Sequence, residues 1–105
     1  MSTSKQPTNI VWVFLAEGAY HPCAVFSSRE EAEAWILSTS VTGTLTAYEL
    51  NKPVYDWAIE RGYFTPTHKN QKTPKFIARF SSAYAEHYHY KEGTNTDCQA
   101  DRKKP

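Results

Sequence analysis

Two histidines lie in the segment that is richest in side chains able to do chemistry. Residues 76–90, FIARFSSAYAEHYHY, combine aromatic rings, serines, one carboxylate and the pair His87 and His89. On a β-strand the two imidazoles would project from the same face, where with Glu86 or His21 they could hold zinc or iron. On an α-helix they would diverge by about 200° and could not chelate one ion. Since the spacing fixes no third ligand, we predict no metal, and imidazoles packed against tyrosines are the favoured interpretation.

Catalytic chemistry is weakly supported. Ser81, Ser82, Asp56 and Glu86 could be combined with the histidines into a hydrolytic triad, but no G-x-S-x-G motif accompanies them. The chain has four glycines and no glycine-rich phosphate loop. We therefore favour a non-enzymatic role and predict no cofactor.

A basic segment is the strongest indication of a binding surface. Residues 61–85 carry a net charge of +5 and no acidic side chain, whereas residues 1–60 carry −4. The loop 65–73, TPTHKNQKT, is polar, basic and flanked by prolines, and loops held by a rigid scaffold often carry function. We predict a surface that combines this loop with the end of the aromatic segment. The candidate binding residues are His68, Lys69, Lys72, Lys75, Arg79, Glu86, His87 and His89.

The expected partner of this surface is a protein that carries negative charge. Aromatic residues in and beside the basic segment, such as Phe64 and Phe76, could also stack on bases. However, the pI of about 7.8 is far from the basic balance that is usual for nucleic-acid binders, so nucleic acid is the less favoured partner. No membrane partner is expected, because no apolar run approaches the ~20 residues that span a bilayer.

Length and composition indicate one small domain. The chain has 105 residues, including fifteen aromatics, which suits one compact core. The N-terminus lacks the apolar stretch of a signal peptide, and we expect a cytoplasmic protein. Cys23 and Cys98 are far apart without a C-x-x-C motif, and we expect reduced thiols.

The hydrophobic pattern predicts a small α+β domain. We expect three to four strands in an antiparallel or mixed sheet, packed with two to three helices in the order β-β-α-β-α-α. Residues 10–92 should form the domain, flanked by disordered tails at 1–9 and 93–105. The predicted elements are strands at 10–15, 23–26 and 44–50, and helices from 28 to about 37, from 51–53 to Gly62 and from 74 to about 85, with 86–91 either helical or extended.

Local signals mark the helix ends. Ser28 with Glu31 forms a capping box, and Thr73 before Pro74 is typical of a helix start. Gly62 suits a C′ position from which Tyr63 folds back in a Schellman motif. The first strand, an unbroken apolar run, is predicted to be buried on both faces. The core should be a single cluster of Trp12, Phe14, Trp35, Ile36, Trp57, Phe76 and Phe80.

Five motifs in fixed order resemble a family of small, uncharacterised, mostly bacterial proteins. These motifs are VWVF, VFSSREEAEAWI, TGTLTAYEL, VYDWAIERGYF and FIARFSSAYAEHYHY, and they cover about residues 10–92. The resemblance implies a single small domain and brings no activity, cofactor or catalytic residue with it.

Three functions compete at this point. The leading hypothesis is a non-enzymatic interaction module, such as an adaptor, a regulator or an immunity-type protein, that binds a macromolecule through the basic surface. The second is a small-molecule or metal-binding protein, with or without catalysis, whose site lies at Tyr84–His89. The third is nucleic-acid binding. The oligomeric state is left open.

Overall fold

The structure is a computed structural model that describes residues 9–97. These residues form a five-stranded antiparallel sheet with three α-helices. The strand order across the sheet is β2-β1-β3-β4-β5. No helix in this part of the chain is long and apolar enough to cross a membrane. The α+β class is confirmed, and the sheet is antiparallel throughout. The elements are β1 (Ile10–Ala16), β2 (Ala24–Phe26), α1 (Arg29–Thr39), β3 (Gly43–Glu49), α2 (Val54–Glu60), a 3-10 turn (Lys69–Lys72), α3 (Pro74–Arg79), β4 (His87–Lys91) and β5 (Thr94–Asn95).

The predicted count of three to four strands was too low, because the chain forms a second hairpin after α3. β4 pairs with β3, and β5 pairs with β4 through a two-residue connection. Glu92 and Gly93 both have positive φ, 49° and 85°, which is typical of a type I′ hairpin turn. The domain boundary predicted at residue 92 therefore falls in front of β5. Of the tails predicted at 1–9 and 93–105, the parts 1–8 and 98–105, which include Cys98, lie outside the described residues.

Helix α3 begins where predicted and ends six residues earlier than expected. Thr73 Oγ1 accepts a hydrogen bond from the Phe76 amide at 3.2 Å, as a helix cap does. The helix stops at Arg79, and the Ser82 hydroxyl accepts from the Tyr84 amide at 3.2 Å. Serine hydroxyls offer the backbone such local partners in place of helical ones, which is a reason why the helix does not continue through Ser82.

Two other helix ends also follow their sequence signals. Ser28 Oγ accepts from the Glu31 amide at 3.1 Å. Gly62 has φ 79°, and the Tyr63 amide donates to the Ala58 carbonyl at 2.8 Å, as expected for a Schellman motif.

The main core lies between one face of the sheet and α1. Phe14, Ile36 and Leu45 are completely buried there. β1 is buried on this face alone, since Leu15 on the opposite face is 40% exposed, so the prediction of a strand buried on both faces was wrong. The buried cluster consists of Trp12, Phe14, Ala32, Ile36, Leu45 and Tyr90, with Trp35 partly buried against it.

A second group of aromatic rings, the aromatic cluster, packs around α2 and α3. It consists of Tyr55, Phe64, Phe76 and Phe80, whose ring centres lie 4.8–6.3 Å apart. The prediction of one core was therefore wrong. Trp57 is also only partly buried, because α2 turns Tyr55 and Ala58 inward instead.

Candidate functional site

The basic loop 65–73 is held in one conformation by Gln71. Gln71 Oε1 accepts hydrogen bonds from the Thr67 amide at 2.8 Å and from the His68 amide at 3.2 Å. The Gln71 carbonyl accepts from the hydroxyl of Tyr55 at 2.7 Å, which ties the loop to α2. These hydrogen bonds fix the backbone that carries the cationic side chains of the loop. Sequence reasoning missed both Gln71 and Tyr55, because their partners are set by the tertiary fold.

Beside this loop the chain forms an open groove of about 560 Å³, which we call the basic groove. Half-buried Phe76 and Phe80 supply aromatic surface, and Lys75 and Arg79 supply charge. The lining residues are Asn70, Thr73, Lys75, Phe76, Arg79, Phe80 and Ser81. Two aromatic rings, two cations and three polar side chains thus meet in the region that the sequence analysis identified.

The cations of residues 69–79, in or beside the basic groove, have no carboxylate partner among the described residues, and of the other described cations only Lys91 on β4 shares this property. Three other cations form ion pairs: Arg29 with Glu33 at 3.1 Å, Lys52 with Glu60 at 2.9 Å and Arg61 with Glu49 at 2.8 Å. Within residues 9–97, no carboxylate oxygen lies within 4.0 Å of the charged nitrogens of four exposed residues, which are Lys69, Lys72, Lys75 and Arg79. These four charges are therefore free to interact with a partner.

His87 lies in a smaller pocket that adjoins the basic groove. The pocket has a volume of about 310 Å³ and shares Phe80 and Ser81 with the groove. The same pocket is lined by several residues that carry hydroxyl groups: Thr44, Thr46, Tyr48, Ser81 and Ser82. In the described part of the chain, no Ser or Thr hydroxyl is hydrogen-bonded to the ring of His87 or His89, so no nucleophile–base pair is assembled.

The other two predicted binding residues lie apart from the groove. Glu86 accepts a hydrogen bond from the Tyr88 hydroxyl at 2.5 Å, and this bond raises the pKa of Tyr88. His89 contacts Asp97 with both its amide, at 2.6 Å, and its Nδ1, at 3.1 Å. Burial opposes ionisation of Asp97, but these two hydrogen bonds outweigh it and lower the pKa of the carboxyl.

A third concavity, the aromatic pocket, lies at the opposite end of the predicted site. Trp57, Tyr63 and Tyr84 form its walls, and the two tyrosine rings are stacked with centres 4.3 Å apart. Its volume is about 240 Å³, and Glu86 lies on its rim. The cations that line it form ion pairs within the protein, for example Arg61 with Glu49.

The structure answers the question of where the two histidines point. They lie on β4 and face the same side of the sheet, with ring centres 5.1 Å apart and planes at 89°. In the part of the chain that the structure describes, no three His, Cys, Asp or Glu side chains are grouped to hold a metal ion. Glu86 and His21 therefore do not supply the third ligand considered from the sequence.

The fold and its site define a small α+β domain with a preformed basic groove. The chain belongs to the family described as a domain of unknown function (DUF7710), which matches residues 11–96. This confirms the resemblance to uncharacterised small proteins. No curated protein and no solved structure shows significant similarity to the chain.

Proposed function

We propose that the protein is a non-enzymatic interaction module that binds an acidic segment of a partner protein in the basic groove. The observation that carries this proposal is the contrast in ion pairing. Four exposed cations of one short segment lack carboxylate partners within residues 9–97, namely Lys69, Lys72, Lys75 and Arg79. By contrast, Arg29, Lys52 and Arg61 are paired. Exposed cations without a carboxylate partner attract and orient a negatively charged partner.

The groove also has the features that give an interface affinity. Phe76 and Phe80 offer partly exposed aromatic surface, the type of surface that anchors partner side chains. The hydrogen bonds of Gln71 fix the loop before binding, which reduces the ordering entropy that association costs. A segment that combines acidic and apolar side chains fits both halves of this surface.

A protein partner agrees better with the charge distribution than nucleic acid does. The excess of positive charge belongs to one segment, residues 61–85, of a chain whose net charge is only +1. Binding along a nucleic acid usually requires a basic face with a strongly basic domain. The experiment must therefore distinguish binding of an acidic peptide from binding of a nucleic acid.

The test uses three fluorescent probes: a peptide of glutamate and phenylalanine, the same peptide with glutamine for glutamate, and oligo(dT). Fluorescence anisotropy should show that the acidic peptide binds most tightly. The double reversal Lys75→Glu/Arg79→Glu should weaken its affinity by about tenfold or more. The control Lys52→Glu/Lys91→Glu changes the net charge equally but lies away from the groove, and it should leave the affinity close to that of the parent.

Two results would overturn the proposal. Equal losses in both double variants would mean that only net charge matters. Tighter binding of oligo(dT) than of the acidic peptide, abolished by the groove reversal, would assign the groove to nucleic acid. Circular dichroism and thermal melts on the same samples show whether a variant has lost its fold.

A second candidate function, small-molecule binding, is favoured by the aromatic pocket. Stacked Tyr63 and Tyr84 with Trp57 present a wall that suits a planar apolar ligand. A screen of planar aromatic compounds can be followed by tryptophan fluorescence, to which Trp57 in the pocket wall contributes. A true ligand of this pocket should lose its signal in Tyr84→Ala, and a signal that persists in that variant would exclude the pocket.

A further inference from the structure

The side chains of His87 and His89 are arranged as a pair of metal ligands. His87 Nδ1 lies 2.7 Å from the carbonyl oxygen of Ala85, and His89 Nδ1 lies 3.1 Å from a carboxylate oxygen of Asp97. Carbonyl and carboxylate oxygens only accept hydrogen bonds, so each Nδ1 carries the hydrogen in the neutral ring. Both Nε2 atoms then hold a lone pair.

This pattern is the one that metal-binding histidines show. A ligating imidazole almost always donates its other N–H to a carbonyl or carboxylate, which fixes the tautomer and the ring orientation. Both histidines meet this condition, and they meet it with different partners, one in the backbone and one in the side chain of Asp97. The agreement is independent of the spacing that first drew attention to the pair.

The separation of the rings also fits one shared ion. A tetrahedral zinc ion lies about 2.0–2.1 Å from each imidazole nitrogen, so two coordinating rings have centres roughly 5 Å apart. The observed distance is 5.1 Å, on the same face of β4. His89 is exposed and His87 is half-buried, so an ion can reach both.

We propose that His87 and His89 form a two-histidine site for zinc or a similar divalent transition metal. Within residues 9–97 the protein supplies these two ligands alone, since no group of three such side chains is present there. The remaining coordination positions are open to water or to a donor atom from another molecule. The bound ion would therefore exchange readily. This inference is independent of the proposed function, because the metal ligands are not residues of the basic groove.

Isothermal titration calorimetry of the untagged, chelator-treated protein with zinc alone tests this proposal. The parent should bind one zinc ion. His87→Ala and His89→Ala should each weaken binding at least about tenfold, and Asp97→Asn should weaken it by about tenfold through the orientation of His89. His21→Ala and His68→Ala are matched controls, because both histidines are exposed and neither belongs to β4. These two variants should bind as the parent does.

A measurement on the parent protein makes the test independent of variant folding. Zinc should shift the ring signals of His87 and His89 in the NMR spectrum and leave those of His21 and His68 in place. The proposal would be overturned by absent binding at millimolar zinc. It would also be overturned by binding that survives in both β4 variants, or that disappears in Cys23→Ser, because the exposed Cys23 thiol would then be the ligand.

Discussion

The sheet core and the aromatic cluster are both built from apolar and aromatic side chains, but these side chains are buried to different degrees. Phe14, Ile36 and Leu45 of the sheet core are completely buried. Phe76 and Phe80 of the aromatic cluster are only half-buried, and they line the basic groove. Burial determines how much an apolar side chain stabilises a fold, whereas exposed aromatic surface is available to a partner. We infer that stability resides mainly in the first region and recognition in the second.

Removing a side chain from the sheet core should have the largest effect on stability. Leu45→Ala deletes buried methyl groups and leaves a cavity, which should lower the free energy of unfolding by about 2–5 kcal/mol. Leu37→Ala is the control, because Leu37 is 69% exposed, and it should lose far less. Urea denaturation of both variants measures the difference. Equal losses would show that the sheet face is wrongly placed.

The hydroxyl of Tyr90 should make the stability depend on alkaline pH. Burial, then its hydrogen bond to Glu33 at 2.5 Å, raises the pKa of Tyr90 above its ordinary value of about 10. The resulting stabilisation is complete below pH about 10 and is lost as the pH rises further, because the unfolded chain releases this proton first. Denaturation midpoints at several alkaline pH values should fall less steeply in Tyr90→Phe than in the parent. Tyr20→Phe, with a ring that is 93% exposed, should keep the parental slope, and a variant slope equal to the parent's would contradict the assignment.

Truncation in the aromatic cluster should cost less than truncation in the sheet core. Phe76 is half-buried, so Phe76→Ala should destabilise the domain by about 1–2 kcal/mol. The same variant should weaken binding of the acidic peptide. A loss of stability as large as that of Leu45→Ala would show that the two regions form one core after all.

Loss of the hydrogen bond that anchors the loop should have a smaller effect. Tyr55→Phe leaves the Gln71 carbonyl without its partner and should cost about 1 kcal/mol. Amide hydrogen exchange should become faster in the loop 65–73 before it does in the sheet. Tyr48→Phe serves as control, because no hydrogen bond of the Tyr48 hydroxyl is found among residues 9–97. Unchanged exchange in the Tyr55 variant would mean that the loop is held by other contacts.

Local signals were sufficient to predict the helix starts and the first three strands. The caps at Ser28 and Thr73 and the turn at Gly62 depend on neighbours within a few residues, so the sequence shows them directly. The α+β class and the order of the first six elements follow from the same local patterns.

The sequence left residues 86–91 either helical or extended and did not predict β5, because non-local contacts determine the second hairpin. Phe76, Phe80 and Tyr84 recur with helical spacing, and this pattern favoured a helix up to residue 85. The strand His87–Lys91 is stabilised by pairing with β3, more than forty residues earlier, and by the contact of Tyr90 with Glu33, 57 residues away. The local signal in the sequence was Gly93, because glycine readily adopts the positive φ that a two-residue hairpin turn requires.

The candidate site was predicted in composition but not in arrangement. The basic loop and its neighbouring aromatics do form one groove, because sequence proximity brings them together. Glu86, His87 and His89 are close in sequence, but alternation along the chain brings His87 and His89 to one face and pairs Glu86 with Tyr88 instead. Asp97 and Gln71 were missed, since their roles depend on partners that only the fold supplies.

The salt dependence of binding tests the central claim most directly. The affinity of the acidic peptide for the parent should fall steeply as ionic strength rises, because screening weakens the interaction of exposed charges. In Lys75→Glu/Arg79→Glu the remaining affinity should depend much less on salt, while the denaturation midpoint stays close to that of the parent. An affinity that does not change with salt in the parent, or a reversal that unfolds the domain, would contradict the separation of recognition from stability.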